Sequence, residues 1–185
     1  MNKGLKTITV RLVLFFALLA ISGSLFSQTT KKERRLVEDA QEAKEDFIDT
    51  DGLMKSLFQD SYGYVLFPNV GKGGIGIGGA AGNGIVFEGG QMIGKAKMTQ
   101  VSIGFQFGGQ AYREVIFFEN KEAMDRFKND NLEFSAQASA VAVTAGASAN
   151  VKYANGVMIF TQQKGGLMYE ASIGGQKFDY SDFGE

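Results

Sequence analysis

Two glycine patterns in this chain have the spacing of phosphate-binding loops, and both are decided by their neighbours. Gly74, Gly76 and Gly79 satisfy G-x-G-x-x-G, and a hydrophobic run, Tyr64 to Phe67, precedes them. A pyrophosphate needs a helix N-terminus behind such glycines. The next residues are Ala80-Ala81-Gly82-Asn83-Gly84, whose turn chemistry is that of a hairpin. Gly89, Gly94 and Lys95 fit a phosphate loop, but Ala96 stands where the metal-binding hydroxyl belongs, so the segment reads as a turn with an exposed lysine. Asp49-Thr50-Asp51-Gly52 opens like a calcium loop without the terminal Glu. The acidic pair Glu45-Asp46 fits a solvated helix face. The sequence holds no histidine and no cysteine. That removes the usual zinc, haem and copper ligands, together with the Ser-His and Cys-His nucleophile pairs. No catalytic residue, metal site or cofactor is assigned, and the expectation is a protein that is not an enzyme.

The chemistry left is electrostatic. Lys31, Lys32, Arg34 and Arg35 crowd five positions at the start of a charged, proline-free segment running from Thr30 to Phe58. Within it Leu36, Ala40, Ala43 and Phe47 recur at helical spacing, and Val37 and Ile48 widen the stripe. The pattern predicts an amphipathic helix, then a short second one bearing Leu53, Met54, Leu57 and Phe58 and capped by Thr50 or Asp51. Two readings stand for it. The cations attract anionic lipid headgroups while Leu36, Val37, Ala40 and Phe47 enter the interface, or the cations are a solvated terminus and the stripe packs on the rest of the fold.

The first 27 residues are set apart from the fold. Lys3, Lys6 and Arg11 precede an apolar run, Leu12 to Ile21, and Ser22, Gly23, Ser24 and Ser27 come after it, as in a secretory signal peptide cleaved after Ser27. An uncleaved anchor is the alternative, because Val10 to Phe26 comes close to spanning length. Three of the 19 basic residues and none of the 20 acidic ones lie in this leader, so residues 28–185 carry about four net negative charges and are expected to form one domain. Nucleic acid is an unsuitable partner for such a balance.

From Gly63 onward lie 22 of the 25 glycines, among Val, Ile, Phe and Tyr. This is strand composition. Tyr64 to Phe67 predicts a buried strand turned by Pro68-Asn69, and Asn83-Gly84, Gly89-Gly90, Asn155-Gly156 and Gly174-Gly175 predict further turns. In Thr99 to Phe107 the alternation places Val101, Ile103, Phe105 and Phe107 on one face and Gln100 and Ser102 on the other. Glu114 to Phe118 and Val157 to Thr161 predict strands, Asn120 caps a helix to Lys128 that buries Ala123, Met124 and Phe127, and Phe134 to Val151 predicts an Ala/Ser-rich strand. The motifs NGIVF and NGVMIF, each with a later GGQ, suggest two related halves of a meander or barrel. The fold class expected is α+β, with N-terminal amphipathic helices packed on an antiparallel sheet, open or barrel-like.

The stretch Ser61 to Gly74, SYGYVLFPNVGKGG, resembles the signature of SYLF domains, a lipid-binding family with eukaryotic actin-patch members. Further likeness runs in order through Gly108-Gly109-Gln110-Ala111-Tyr112, Phe117-Phe118, Ala138 to Ala142, Asn155-Gly156-Val157, Lys164 to Met168 and Gly174 to Phe178. The resemblance implies a phospholipid or anionic membrane surface as partner, with Lys31, Lys32, Arg34, Arg35 and Lys72 as lipid-binding residues. A leader peptide separates the chain from cytoplasmic actin, so the expectation is an exported protein of the periplasm or envelope. Its rival is a structural or protein-interaction module working through a strand edge or the helix stripe; the sequence names no protein partner.

Overall fold

A computed structural model describes residues 31–75, 77–103, 110–130, 132, 134, 139–164 and 170–183. The expectations for the leader, Gly76, Phe105, Phe107, Gly108-Gly109, Ala136, Ala138 and Gly165 to Met168 fall outside these residues. Helix α1 covers residues 31–50. After α2 (Met54–Asp60) come β1 (Gly63–Ile75), β2 (Ile77–Glu88), β3 (Gln91–Ile103) and β4 (Gln110–Phe118). The chain continues through α3 (Lys121–Lys128), β5 (Ser139–Ala142), a 3-10 turn at Ala147–Asn150, β6 (Val157–Gln163), β7 (Glu170–Ser172) and β8 (Gln176–Asp182). Two compact units divide the chain, Met1–Val37 and Glu38–Glu185. The described part of the first is the opening of α1, and the sheet with its other helices belongs to the second.

The strands form one eight-stranded sheet in the order β7-β5-β6-β4-β1-β2-β3-β8. All its ladders are antiparallel except β5–β6. Among the described residues the sheet is open, with β7 and β8 as its edges, so it is α+β and not a barrel. Pro68-Asn69 is not a turn. Strand β1 passes straight through Pro68 and is paired on both sides, and both ladders slip in register there. A bulge is where a central strand tolerates a residue without an N–H. The extra residue also changes which residues face inward: Val65 and Phe67 before it and Val70 after it share one core.

Asn83-Gly84 is likewise no hairpin tip, since it lies inside β2 opposite Lys97 and Ala96. The supposed echo between the two halves therefore fails, because Asn155-Gly156 is a true turn with both residues at positive φ, 52° and 78°. Gly89-Gly90 and Gly174-Gly175 are turns as expected. Of the fingerprint glycines Gly74 lies in β1 and Gly79 in β2, and Gly94-Lys95 sits within β3, where Lys95 is half-buried instead of exposed on a turn. Of the predicted strand Phe134 to Val151, only Ser139–Ala142 is strand among the described residues.

Both faces of the sheet are covered. On the outer face Tyr64, Leu66, Ile85, Val115, Phe117 and Phe160 are buried beneath Ala40, Ala43 and Phe47 of α1 and Met54 and Phe58 of α2. The rings interlock: Phe58 meets Tyr64 and Phe117 edge-on at 5.0 and 4.9 Å, and Tyr64 stacks on Phe87 at 4.5 Å. Each fully buried aromatic here contributes about 1.5–3 kcal/mol. Lys44 of α1 lies over the Phe58 and Tyr64 rings, 5.1 and 5.4 Å from their centroids, and donates to Tyr64 Oη at 3.2 Å. Burial pushes the Tyr64 phenol up to about 12 and draws the Lys44 ammonium below its ordinary range.

The inner face gathers Val65, Phe67, Val70, Met98, Tyr112, Ile116, Phe118 and Phe178 with Ala123, Met124 and Phe127 of α3. As expected, Asn120 caps α3 by accepting from Ala123 N–H at 3.0 Å. Phe178 of the edge strand β8 reaches Phe67 of central β1 at 6.0 Å and Phe127 at 5.4 Å. Three strands separate β8 from β4 in the sheet order, yet Gln176 of β8 hydrogen-bonds Glu114 of β4. The sheet therefore coils until its edge closes over its own inner face.

Candidate functional site

The expected contact residues lie in two places. Lys31, Lys32, Arg34 and Arg35 occupy the first turns of α1 and all four are exposed, whereas Leu36 and Val37 are half-buried. Further along, Ala40, Ala43 and Phe47 are at most 1% exposed. The stripe from Ala40 onward is thus taken up by packing within the fold, and Ala40 and Phe47 are not available to enter a lipid interface. Lys72 belongs to the other unit, in β1. Its cross-strand neighbour is Ala80, which pairs with Gln100, which pairs with Gln176. Residues directly opposite across a ladder share a face, so half-buried Lys72 stands on the inner side in a row with two glutamines.

That row ends a polar zone of the inner face which sequence reasoning missed. Where the expected alternation falls on described side chains it is inverted: Gln100 is 3% exposed and Val101 72%. Gln100 Nε2 donates to Gly174 O at 3.0 Å, which ties β3 to the turn before β8. The next rows carry Tyr112 opposite Gln163, and Glu114 opposite Thr161 and Phe67. Glu114 is fully buried and its Oε2 accepts from Gln176 Nε2 at 3.0 Å. Burial pushes its carboxyl up to about 7, with the Gln176 hydrogen bond pulling the other way. Burial and the Glu114 charge together raise the Tyr112 phenol, so that it stays neutral.

A signal for Glu114 was present. It is a lone acid at the head of Val115-Ile116-Phe117-Phe118, with the same parity as Ile116 and Phe118. Its partner had no such signal, being 62 residues away and reached only through the coiling of the sheet.

A second buried acid is fully satisfied. Asp51 does not cap α2, whose N-cap is Leu53 without a side-chain bond. Instead Asp51 Oδ2 accepts from Ser148 N–H at 2.8 Å and Ser148 Oγ at 2.7 Å, and its Oδ1 accepts from Leu53 N–H at 3.1 Å. Burial alone would raise this carboxyl, but the donors from Ser148, Leu53 and Gly146 outweigh it and hold it below the usual Asp range. Among the described residues no cluster of three or more acidic, His or Cys side chains could hold a metal. The arrangement offers cation-rich helix turns, a polar inner zone and a buried proton-binding carboxyl.

Residues 99–181 match the family model Ysc84, described as Las17-binding protein actin regulator. Over residues 99–181 the chain matches the Ysc84 (SYLF) family. This is the family whose signature residues 61–74 resemble, and the model covers most of the strands that build the polar inner zone. A curated relative, beta cell expansion factor A of Aeromonas veronii, is 30% identical over 127 residues, covering 67% of this chain and 48% of that protein. The chain therefore spans about half the length of the relative it matches. The Ysc84 family is linked to lipid binding and actin regulation, and it is a family of binding domains and not of enzymes.

Proposed function

We propose that this chain is a non-enzymatic phospholipid-binding protein of the bacterial envelope, which meets anionic membrane surfaces through the opening turns of α1. The observation that supports this is the exposure of Lys31, Lys32, Arg34 and Arg35 on a helix whose later apolar positions are already buried. Contact is then chiefly electrostatic, each cation contributing about 1 kcal/mol near an anionic surface, with Leu36 and Val37 as shallow apolar contacts. Lys72 is a second contact in this reading, made on the inner side of the sheet. Residues 1–27 act as a cleaved leader, residues 28–185 are the working domain, and the location is the periplasm or envelope surface. Among the described residues no helix is long and apolar enough to cross a membrane.

Cosedimentation with phosphatidylglycerol and phosphatidylcholine vesicles tests the reading. Binding to the anionic vesicles alone is expected, and Lys31→Glu, Lys32→Glu, Arg34→Glu and Arg35→Glu combined should abolish it. The family description itself names a protein-binding activity, which gives the interaction-module alternative its footing. Absence of vesicle binding at low and physiological salt, with specific protein partners recovered from membrane-free envelope extract, would establish that alternative.

A further inference from the structure

Glu114 and Gln176 are both buried, at 0% and 2% exposure, and one hydrogen bond joins them. Each also keeps an idle atom. Among the described residues neither Glu114 Oε1 nor Gln176 Oε1 has a hydrogen-bond partner. Buried acceptors are rarely left so; Gln176 Oε1 can only accept, and Glu114 Oε1 can only accept for as long as the carboxyl is ionised. Carboxyl and carboxamide are planar groups of the same size, already joined along one side from Gln176 Nε2 to Glu114 Oε2. The atoms left over are one oxygen on each group, and a proton on Glu114 Oε1 would make it a donor to Gln176 Oε1.

We propose that Glu114 carries a proton in the folded protein and pairs with Gln176 through two reciprocal hydrogen bonds, a proton-dependent clasp holding the edge strand β8 against β4. The balance is simple: Glu114 Oε1–H donates to Gln176 Oε1, Gln176 Nε2–H donates to Glu114 Oε2, and deprotonation releases the proton to solvent and leaves two acceptors opposed.

The surroundings favour the neutral form. On β4 the ionisable neighbour is Tyr112, neutral and buried. Strand β6 presents Thr161 and Gln163, β3 presents Gln100 and Met98, and α3 presents Ala123, Met124 and Phe127. Strand β8 adds Phe178 and Tyr180 beside Gln176. Lys72 of β1 lies two rows from Glu114 on the same face, and at its far end Lys128 of α3, paired with Glu88 of β2, lies over the Tyr180 ring at 5.8 Å. The desolvation that raises Glu114 to about 7 is consistent with this inventory. The clasp matters because among the described residues β8 pairs in the sheet with β3 alone, so its other hold on the fold is what its side chains make across the interior.

The test is a pH titration of the labelled protein by NMR, following the Glu114 side-chain carboxyl together with amide exchange of β8. The carboxyl is expected to titrate near neutrality, and β8 protection to fall at least tenfold over the same interval. Glu114→Gln supplies the missing donor permanently, so its β8 protection should stay at the low-pH level up to about pH 8. An ionised carboxyl throughout the range overturns the proposal, as does a titration that moves with added sodium or potassium, which would mark a cation as the guest. So does β8 protection indifferent to the transition, or a Glu114→Gln variant that loses protection as the wild type does. Should that variant not fold, the wild-type titration alone decides.

Discussion

Asp51 and Glu114 are both buried carboxyls, and they give stability opposite dependences on pH. Asp51 has its donors in place, so its folded pKa lies below the unfolded one. It contributes stability above the unfolded value, about pH 4, and that contribution is lost as pH falls through the folded one. Asp51→Ala strands the Ser148 and Leu53 donors and is expected to lower unfolding free energy by about 3 kcal/mol at pH 7, read from urea midpoints. Asp51→Asn should flatten the acid limb of the stability profile. Glu114, raised to about 7, works the other way. The folded state holds its proton more tightly than the unfolded chain does, so stability is highest below about pH 4.5 and declines until about pH 7. Glu114→Gln should remove that decline, leaving the variant more stable than the wild type at pH 8 by a few kcal/mol. A variant that is less stable at pH 8 contradicts this account.

At the scale of elements, the Pro68 bulge governs the sheet, and Gly84 is what lets the neighbouring strand come close to it. A Cβ on Gly84 would lie 2.8 Å from Leu66 O and 2.7 Å from the Phe67 ring. Backbone cannot yield as a side chain can, so Gly84→Ala is expected to destabilise by about 1–3 kcal/mol, seen as a lower urea midpoint. Gly71, in the same ladder on β1, has nothing within 4 Å of such a Cβ. There Ala should be neutral or stabilise by about 0.4–1 kcal/mol through the unfolded chain. This pair also marks what the sequence could tell. Helix α3 was legible in full because cap, length and buried face are all local to Asn120–Lys128. Asn83-Gly84 was misread because turn chemistry is local while strand pairing is not, and the strands on either side of β2 overrode it. The alternation around Gln100 and Val101 gave the period of the strand but not its orientation, which depends on what covers each face. The cations of α1 could be read from composition. The clasp could not, because its halves meet only once the sheet has formed and coiled.

At the scale of the whole molecule, charge is distributed unevenly along the chain. Residues 28–185 are about four units negative, and apart from Lys31, Lys32, Arg34 and Arg35 the remainder of them is about eight units negative. An anionic membrane therefore attracts one short segment and repels the rest. Ionic strength decides how far each influence reaches: the screening length is about 30 Å at 0.01 M, the diameter of a small domain, about 10 Å at 0.1 M and about 3 Å at 1 M. At 0.01 M the net negative charge is felt at the membrane and opposes approach. At 0.1 M only groups at the surface interact, and those are the cations; at 1 M they too are screened. Binding to phosphatidylglycerol vesicles should accordingly pass through a maximum near 0.1 M salt, weaker on both sides, and the variant with all four cations reversed should show no maximum. Vesicle cosedimentation at a dozen salt concentrations reads this directly. A steady fall from the lowest salt upward would mean that the distant acidic residues do not take part, and binding unaffected by salt would mean that apolar contact carries the interaction.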